Sequence, residues 1–163
     1  MARKIETVED LETILQNDLA WRKKEMLSIK MMAEKGDANE SILLRSGITM
    51  LCAHFEGFVK FSSNCYVKFV SAQKIKNRLL KDNFMAFNLT DVMKQCSNTK
   101  KISVHQKVVD KMRRIYDEPF CEKHDVISTH SNPSSKELKE IVASIGLDTD
   151  IFDLKANYID SNL

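Results

Sequence analysis

Four residues that can do acid–base or phosphate chemistry fall in one short segment. They are Arg45, His54, Glu56 and Lys60. A histidine can transfer protons near neutral pH, and cationic side chains can stabilise phosphate charge. At 100° per helical residue, Arg45 and Glu56 lie about 20° apart, whereas Arg45 and His54 lie about 180° apart. Arg45 and His54 of one molecule therefore cannot act on the same substrate atom, and we expect no catalytic residue among the four.

The alternative role for these four residues is structural. Glu56 and Lys60 have the i, i+4 order that favours an ion pair on a helix. We expect Arg45, Glu56 and Lys60 to form buried or interfacial ion pairs. We expect His54 to be a core histidine whose hydrogen bonds are satisfied. All four are candidate functional or interface residues.

A second set of residues has the side chains of zinc ligands. Cys121, His124 and His130 offer three ligands and Cys96 a fourth. Their spacing matches no common zinc signature. We therefore expect a loop with incidental histidines, no metal site and no cofactor, and His105 on the surface of its helix.

The basic residues between positions 71 and 125 are the best candidates for binding an anion. This range has twelve basic and seven acidic side chains. The pairs Lys100–Lys101 and Arg113–Arg114 have the chemistry to contact RNA phosphates. A solvated helix surface explains the same charge equally well, and a net charge of +2 is too small for a chain-wide nucleic-acid footprint.

The elements that position these residues are predicted to be helices. The chain has 163 residues, enough for one domain, but only four glycines and two prolines. β-Sandwiches and barrels need many tight turns, and phosphate-binding loops need closely spaced glycines. The composition therefore predicts an all-α fold, a helical bundle of about five or six helices.

Cysteine use and hydropathy indicate a reducing compartment. The four cysteines are 13, 31 and 25 residues apart, unlike those of a small disulfide-rich secreted protein. The N-terminal residues do not resemble a signal peptide, and the longest apolar stretch, residues 47–53, is far shorter than a membrane span. We expect a cytoplasmic protein that does not bind membranes.

Two long helices are predicted in the first half of the chain. Residues 7–35 have an apolar stripe behind the N-cap Thr7, and the charged run 22–25 is expected on a solvated face. Residues 41–76 are apolar on most sides, which indicates a long buried central helix. We expect its Gly47 and Gly57 to allow another helix to approach closely.

Shorter helices are predicted for the second half of the chain. The ranges are 89–96, 102–116, 134–144 and about 150 to the end, with a loop at 121–135. The 102–116 helix has an apolar stripe of five residues, namely Val104, Val108, Val109, Met112 and Ile115.

The second predicted helix resembles a bacterial family. Residues 43–70 (LLRSGITMLCAHFEGFVKFSSNCYVKFV) are similar to a helix of the MAE-like HEPN proteins. The matching residues are Arg45, Ala53, His54, Glu56, Gly57, Phe58 and Lys60. Phe55 and Cys52 stand where that family usually has tryptophan and tyrosine.

Two further segments resemble the same family. Residues 127–152 (ISTHSNPSSKELKEIVASIGLDTDIF) are similar to its second characteristic element. In the leading helix, Trp21, Arg22 and Glu25 also fit the family pattern. The resemblance therefore covers most of the chain.

The resemblance implies a fold and a class of activity. HEPN domains are α-helical bundles and usually homodimers, and many are metal-independent ribonucleases of toxin–antitoxin, abortive-infection and phage-defence systems. RNA and an antitoxin or other protein are the implied partners. Two protomers place the catalytic Arg-x4–6-His motif across a shared cleft, where histidine moves protons and arginine stabilises phosphate charge.

That motif does not occur in the sequence. No arginine is followed by a histidine five to seven positions later, and the chain ends at Leu163, where the family's Arg-Asn-x-Ile-Ala-His segment would begin. A chain cut short, a natural truncated or split protein, and a non-catalytic HEPN-like module all fit this pattern.

We therefore expect residues 1–163 to form one dimeric HEPN-like domain of a defence or toxin system, inactive without the terminal motif. The alternative is a helical module that only binds a partner protein. A third hypothesis is RNA or nucleotide binding by the basic middle of the chain without cleavage.

Overall fold

The computed structural model describes residues 4–35, 38–97, 99–122, 134–153 and 155–162. In these ranges the chain forms helices and no strand, and six of the α-helices are seven residues or longer. The helices are α1 (Val8–Ala33), α2 (Glu40–Ala72), α3 (Asp82–Ser97), α4 (Ile102–Ile115), α5 (Ser135–Ser144), α6 (Asp150–Asp153) and α7 (Ala156–Asn162), with a 3-10 turn at Asn77–Leu79. The predicted all-α bundle is confirmed.

The start of α1 is a reciprocal capping box. The hydroxyl of Thr7 accepts a hydrogen bond from the backbone N–H of Asp10 at 3.1 Å, and the Asp10 carboxylate accepts one from the N–H of Thr7 at 3.2 Å. Two backbone donors that a helix start leaves unpaired are satisfied in this way. The predicted N-cap is confirmed. Gly36 and Asp37, expected between the first two helices, lie outside the described residues.

α1 and α2 form an antiparallel hairpin. The side chain of Gln73, just after α2, donates a hydrogen bond to the carbonyl of Glu6, just before α1, at 2.8 Å. The 33 residues of α2 span about 50 Å. The opposite end of the hairpin, formed by residues 26–33 of α1 and 40–51 of α2, is called the hairpin tip below.

The hydrophobic core lies around the C-terminal half of α2, away from the hairpin tip. Phe120 is fully buried, and its ring meets that of Phe84 edge to face with centroids 5.2 Å apart. Its backbone N–H donates to the carbonyl of Ile75 at 2.8 Å, which fixes the segment after α4 against the end of α2. The buried core cluster consists of Val67, Val70, Phe84, Phe120, Ile141 and Ile145.

Burial of α2 differs from the prediction. The helix is buried along its C-terminal half, but at the hairpin tip Leu44 and Ile48 are 52% and 62% exposed. α2 has the length and apolar composition of a membrane span, a criterion that core helices of soluble proteins also meet, yet only 6% of its most apolar window of 18 residues is buried. The expected long buried helix is therefore only half covered within this chain.

A buried asparagine joins the 3-10 turn to the end of α4. The side-chain amide of Asn77 is 2% exposed and donates to the carbonyls of Ile115 and Glu118, each at 3.0 Å. On α4 the predicted apolar stripe is only partly correct, because Val109 and Met112 are exposed whereas Ile115 is buried. The two valines at 104 and 108 are half-buried.

α5 is capped by two different side chains. The Ser134 hydroxyl accepts a hydrogen bond from the N–H of Glu137 at 3.3 Å, as expected for an N-cap. The Asp160 carboxylate of α7 accepts bonds from the N–H of Ser135 at 2.7 Å and from its hydroxyl at 2.8 Å. These bonds fix α7 against the start of α5 and lower the pKa of Asp160 below its usual value.

Candidate functional site

A cluster of polar side chains lies between α1 and α2. Arg22 donates to the Asp18 carboxylate through Nε at 2.6 Å and through Nη2 at 3.3 Å. These two side chains are only 14% and 11% exposed. The pairing is therefore a bidentate, largely buried ion pair within one helix. The α1–α2 polar cluster comprises Asp18, Trp21, Arg22, Glu25 and His54.

Arg22 connects this ion pair to α2. Its Nη1 donates to the backbone carbonyl of His54 at 3.1 Å. The same nitrogen lies 2.7 Å from the position that a β-carbon on Gly57 would occupy, closer than real β-carbon contacts. Glycine at position 57 therefore leaves room for the guanidinium. Gly47 faces Ile29 of α1, with Cγ2 3.2 Å from the place of a β-carbon. The expected close approach of another helix is therefore seen at Gly47, whereas Gly57 makes room for the end of one side chain.

Trp21 and His54 complete the cluster. The indole N–H of Trp21 donates to Asp18 at 3.0 Å, and the guanidinium of Arg22 lies 4.7 Å from its ring centroid. The imidazole of His54 meets the indole edge to face, with centroids 5.2 Å apart. His54 Nε2 is 3.0 Å from a carboxylate oxygen of Glu25. That contact has the length of an ion pair but lacks the direction of a hydrogen bond, and Nε2 is a buried atom without a hydrogen-bond partner.

This arrangement corrects two expectations. His54 is largely buried but is not satisfied through Nε2. Arg22, expected on a solvated face together with its charged neighbours, has a side chain that is only 14% exposed, whereas Lys23 and Lys24 are exposed as predicted. In chemical terms Arg22 neutralises Asp18, and Nε2 of His54 is closed to solvent. The cluster therefore fixes the register of α1 against α2 and does not expose a catalytic group.

The ion pairs expected among the other α2 residues take a different form. Arg45 is exposed and donates to the hydroxyl of Ser41, one helical turn earlier, at 2.9 Å. Lys60 is exposed and Glu56 is half-buried. Arg45 and Lys60 are therefore not buried within this chain, and the expectation that they form interfacial ion pairs stays a prediction.

The two predicted basic pairs lie at opposite ends of one helix. Lys101 is the N-cap of α4 with Lys100 before it, and Arg113 and Arg114 are in its last turn. At 1.5 Å per residue, the two pairs are separated by about 18 Å along the helix axis. All four side chains are exposed. The structure therefore presents two basic sites on one element, and their role in binding RNA stays a prediction.

The residues considered for zinc are only partly described. The thiol of Cys96 contacts the carbonyl of Val104 at 3.5 Å, and Cys121 is exposed next to Glu122. His124 and His130 lie outside the described residues. Within the described ranges no three His, Cys, Asp or Glu side chains form a group that could hold a metal ion.

The hairpin tip has an apolar groove of about 310 Å³ between its two helices. Met26 and Ile29 line it from α1, and Leu44, Ile48 and Leu51 line it from α2. The rim has charges of both signs, from Lys30, Glu34 and Glu40. A groove of this composition suits another helix better than a charged small ligand.

Sequence reasoning missed part of this site. Asp18, Trp21, Arg22 and Glu25 recur at i, i+3, i+4 and i+7, which places them on one face of α1. Because that face is polar, the pattern resembles a solvated surface. The signal that distinguishes the two cases is Gly57, since a glycine inside a helix indicates that something large approaches it.

Comparison with protein-family models matches residues 17–163 to the family described as RiboL-PSP-HEPN. Searches of curated proteins and of solved structures found no match. The matched range contains both the α1–α2 polar cluster and the hairpin tip. It confirms the HEPN resemblance of residues 43–70. Because the match covers nearly the whole sequence, the chain belongs to the RiboL-PSP-HEPN family.

Proposed function

We propose that the chain is the HEPN domain of a bacterial defence or toxin–antitoxin type system, and that it works in the cytoplasm as a homodimer that binds RNA. The observation that carries this proposal is the uncovered apolar surface of the hairpin tip in a member of a HEPN family. Exposed apolar groups of this kind are typical of protein–protein interfaces. A second protomer would cover them.

The basic surface of α4 supports the RNA part of the proposal. Residues 100–114 have six lysines and arginines against one aspartate, and the pairs at the two ends of the helix are exposed. Contacts from such side chains to phosphates do not depend on base sequence. RNA bound along α4 would meet Lys100 and Lys101 at one end and Arg113 and Arg114 at the other.

We propose that these 163 residues bind RNA without cleaving it. The sequence has no Arg-x4–6-His pair, and the buried Nε2 of His54 is not placed to exchange protons with a substrate. General acid–base catalysis needs the catalytic nitrogen within hydrogen-bond reach of the reacting atom. The α1–α2 polar cluster therefore contributes rigidity to the hairpin.

A second candidate function is a module that binds only a partner protein, such as an antitoxin. The apolar groove at the hairpin tip favours it, because the groove has the shape and composition to hold an amphipathic helix. This function does not need the basic residues of α4. The two candidates therefore differ in whether the chain binds RNA.

The test combines three measurements on the purified chain. Light scattering after gel filtration gives the oligomeric state, fluorescence anisotropy with labelled single-stranded and hairpin RNA gives binding, and gel electrophoresis gives cleavage. We expect a dimer that binds RNA, with affinity falling steeply as salt rises, and intact RNA. Four phosphate contacts correspond to a slope of about +3 in log Kd against log salt.

Each contrary result overturns a stated part of the proposal. A dimer without RNA binding supports the protein-binding module instead. A monomer at micromolar concentration contradicts the homodimer. Cleavage that persists in EDTA contradicts the assignment of these residues as non-catalytic.

A further inference from the structure

We propose that two copies of the chain pack antiparallel through residues 44–56 of α2, about a two-fold axis near residue 50, with Arg45 of each copy pairing with Glu56 of the other. This proposal rests on the homodimer of the proposed function and specifies its interface. Three observations on α2 carry it. They are an exposed apolar stripe, the symmetry of that stripe, and the placement of the two charges beside it.

The apolar stripe consists of Leu44, Ile48, Leu51 and Phe55, spaced four, three and four residues apart. At 100° per residue the four lie within about 60° of one another. Leu44, Ile48 and Leu51 are 52%, 62% and 45% exposed, and Phe55 is half-buried. Spacing that alternates between three and four is the pattern of helices that pack side by side over several turns.

The stripe is symmetric about its own midpoint. When α2 is placed antiparallel to a copy of itself, Leu44 meets Phe55 of the second copy and Ile48 meets Leu51 of the second copy, because both pairs of numbers have the same midpoint near residue 50. In a two-fold interface a residue of one copy contacts a second residue of the other copy, and the reverse contact also forms. The contacting surface must therefore be complementary to itself. A partner with a different sequence imposes no such requirement.

The charges beside the stripe share almost the same midpoint. Arg45 and Glu56 lie on the same side of α2, about 20° apart around its axis, and their midpoint is also near residue 50. Within one chain they are eleven residues apart, or about 16 Å along the helix, too far to pair. In the antiparallel dimer each arginine reaches the glutamate of the other copy along the same edge of the interface.

The groove at the hairpin tip extends this surface onto α1. It is lined by three residues of the stripe and by Met26 and Ile29 of α1. Packing a second hairpin there buries apolar groups from both helices and produces a four-helix arrangement, in which neighbouring helices lie 8–10 Å apart. The rim contains Lys30 as well as Glu34 and Glu40, so a second copy meets no uniform repulsion.

A charge exchange tests the register of this interface. Arg45→Glu and Glu56→Arg are each expected to raise the dimer Kd about tenfold, because a like-charge contact then occurs twice per dimer. The double variant R45E/E56R restores opposite charges and should return the Kd to near that of the unchanged chain. Sedimentation equilibrium of the four proteins measures these values, and circular dichroism confirms that each is helical.

An apolar substitution tests the stripe. Ile48→Asp places a charge at the centre of the interface and should produce monomers at micromolar concentration. The matched control is Ile102→Asp, because Ile102 at the start of α4 is 69% exposed and lies outside the proposed interface. This control should remain dimeric.

The failures of the two proposals are distinguishable. A monomeric unchanged chain contradicts the homodimer itself. A dimer that I48D leaves intact shows that the interface lies elsewhere on the molecule, and a dimer weakened by both single charge variants and not restored by the double variant excludes the antiparallel register.

Discussion

Nη1 of Arg22 lies 2.7 Å from the position of a β-carbon on Gly57, so the two residues fit together only because one of them has no side chain. The same nitrogen donates to the carbonyl of His54. Arg22 is held from its own helix by Asp18, and its guanidinium therefore joins α1 to α2 at a fixed register. This contact gives the hairpin specificity that apolar packing at the tip does not.

Gly57→Ala should destabilise the chain although alanine is the better helix former. The methyl group displaces Arg22 and weakens its bond to the His54 carbonyl, which outweighs the gain of about 1 kcal/mol in helix propensity. We expect a net loss of about 1 kcal/mol in the free energy of unfolding, measured by urea denaturation. In an Arg22→Ala background the clash is absent, and the same substitution should then stabilise. If Gly57→Ala changes the free energy of unfolding in the same direction in both backgrounds, this account is wrong.

Gly47→Ala provides a comparison within the same helix. Its new methyl group would meet Cγ2 of Ile29 at 3.2 Å, a contact that a small shift relieves. Helix propensity and crowding nearly cancel there, so we expect a change within about 0.5 kcal/mol. A loss as large as that of Gly57→Ala would show that helix separation, and not the guanidinium, determines both results.

Arg22→Ala should be among the most damaging single substitutions on α1. It leaves the Asp18 carboxylate, which is 11% exposed, with the Trp21 indole as its remaining side-chain donor. Removing one partner of a largely buried ion pair costs about 3 kcal/mol. Arg22→Lys should recover only part of this loss, because an ammonium group cannot make the bidentate contact. Lys23→Ala, at an exposed neighbour, is the control and should have little effect on the urea midpoint.

The sequence predicted α1, α4 and α5 closely because their signals are local, whereas α3 begins at Asp82, seven residues before the predicted start at 89. The N-cap Thr7 of α1 and the helical periodicity of residues 7–35 depend only on neighbours in the chain, and the shortage of glycine and proline depends only on composition. The position of Arg22 could not be obtained in this way. Its burial depends on Gly57, thirty-five positions later, and only the hairpin brings the two together.

The burial of α2 could not be predicted from the sequence for a different reason. An apolar sequence predicts that a surface will be covered, but not by which chain. Val70 lies in the core of its own chain and Phe69 packs against that core. In contrast, Leu44 and Ile48 stay exposed at the hairpin tip. Periodicity alone could not separate these two halves of one helix.

Asn77→Ala should destabilise the junction between α2 and α4. The side-chain amide of Asn77 is 2% exposed and satisfies two backbone carbonyls, those of Ile115 and Glu118. Its removal breaks two hydrogen bonds worth about 1 kcal/mol each, although each carbonyl keeps a backbone N–H donor. Thermal unfolding should show a lower Tm, whereas Asn157→Ala, at an exposed position of α7, should leave the Tm nearly unchanged.

The contact between α5 and α7 should weaken in acid. Hydrogen bonds from the backbone and hydroxyl of Ser135 lower the pKa of Asp160 in the folded chain. The stabilisation they give is therefore fully present above the unfolded pKa, near 3.9, and is lost as the pH falls through the lower folded value. Asp160→Ala should be less stable than the unchanged chain at pH 6, and the difference in urea midpoint should shrink towards pH 2.

The control for this pH effect is an aspartate on another helix. Asp91 is exposed on α3, and Asp91→Ala should leave the difference in urea midpoint small at both ends of the pH range. If Asp160→Ala keeps a constant difference down to pH 2, the carboxylate of Asp160 is not the group that caps α5.

The two ends of α4 should contribute separately to RNA binding. Because Lys100–Lys101 and Arg113–Arg114 lie about 18 Å apart along the helix, they would contact different phosphates of one bound strand. Replacing either pair with glutamine should weaken binding and reduce the steepness of log Kd against log salt by about 1.5, and replacing both pairs should approximately double that reduction. Lys23 and Lys24, exposed on α1, give the matched control with the same loss of charge. If their glutamine variants reduce the salt dependence equally, RNA binding depends on net charge alone and α4 is not the binding surface.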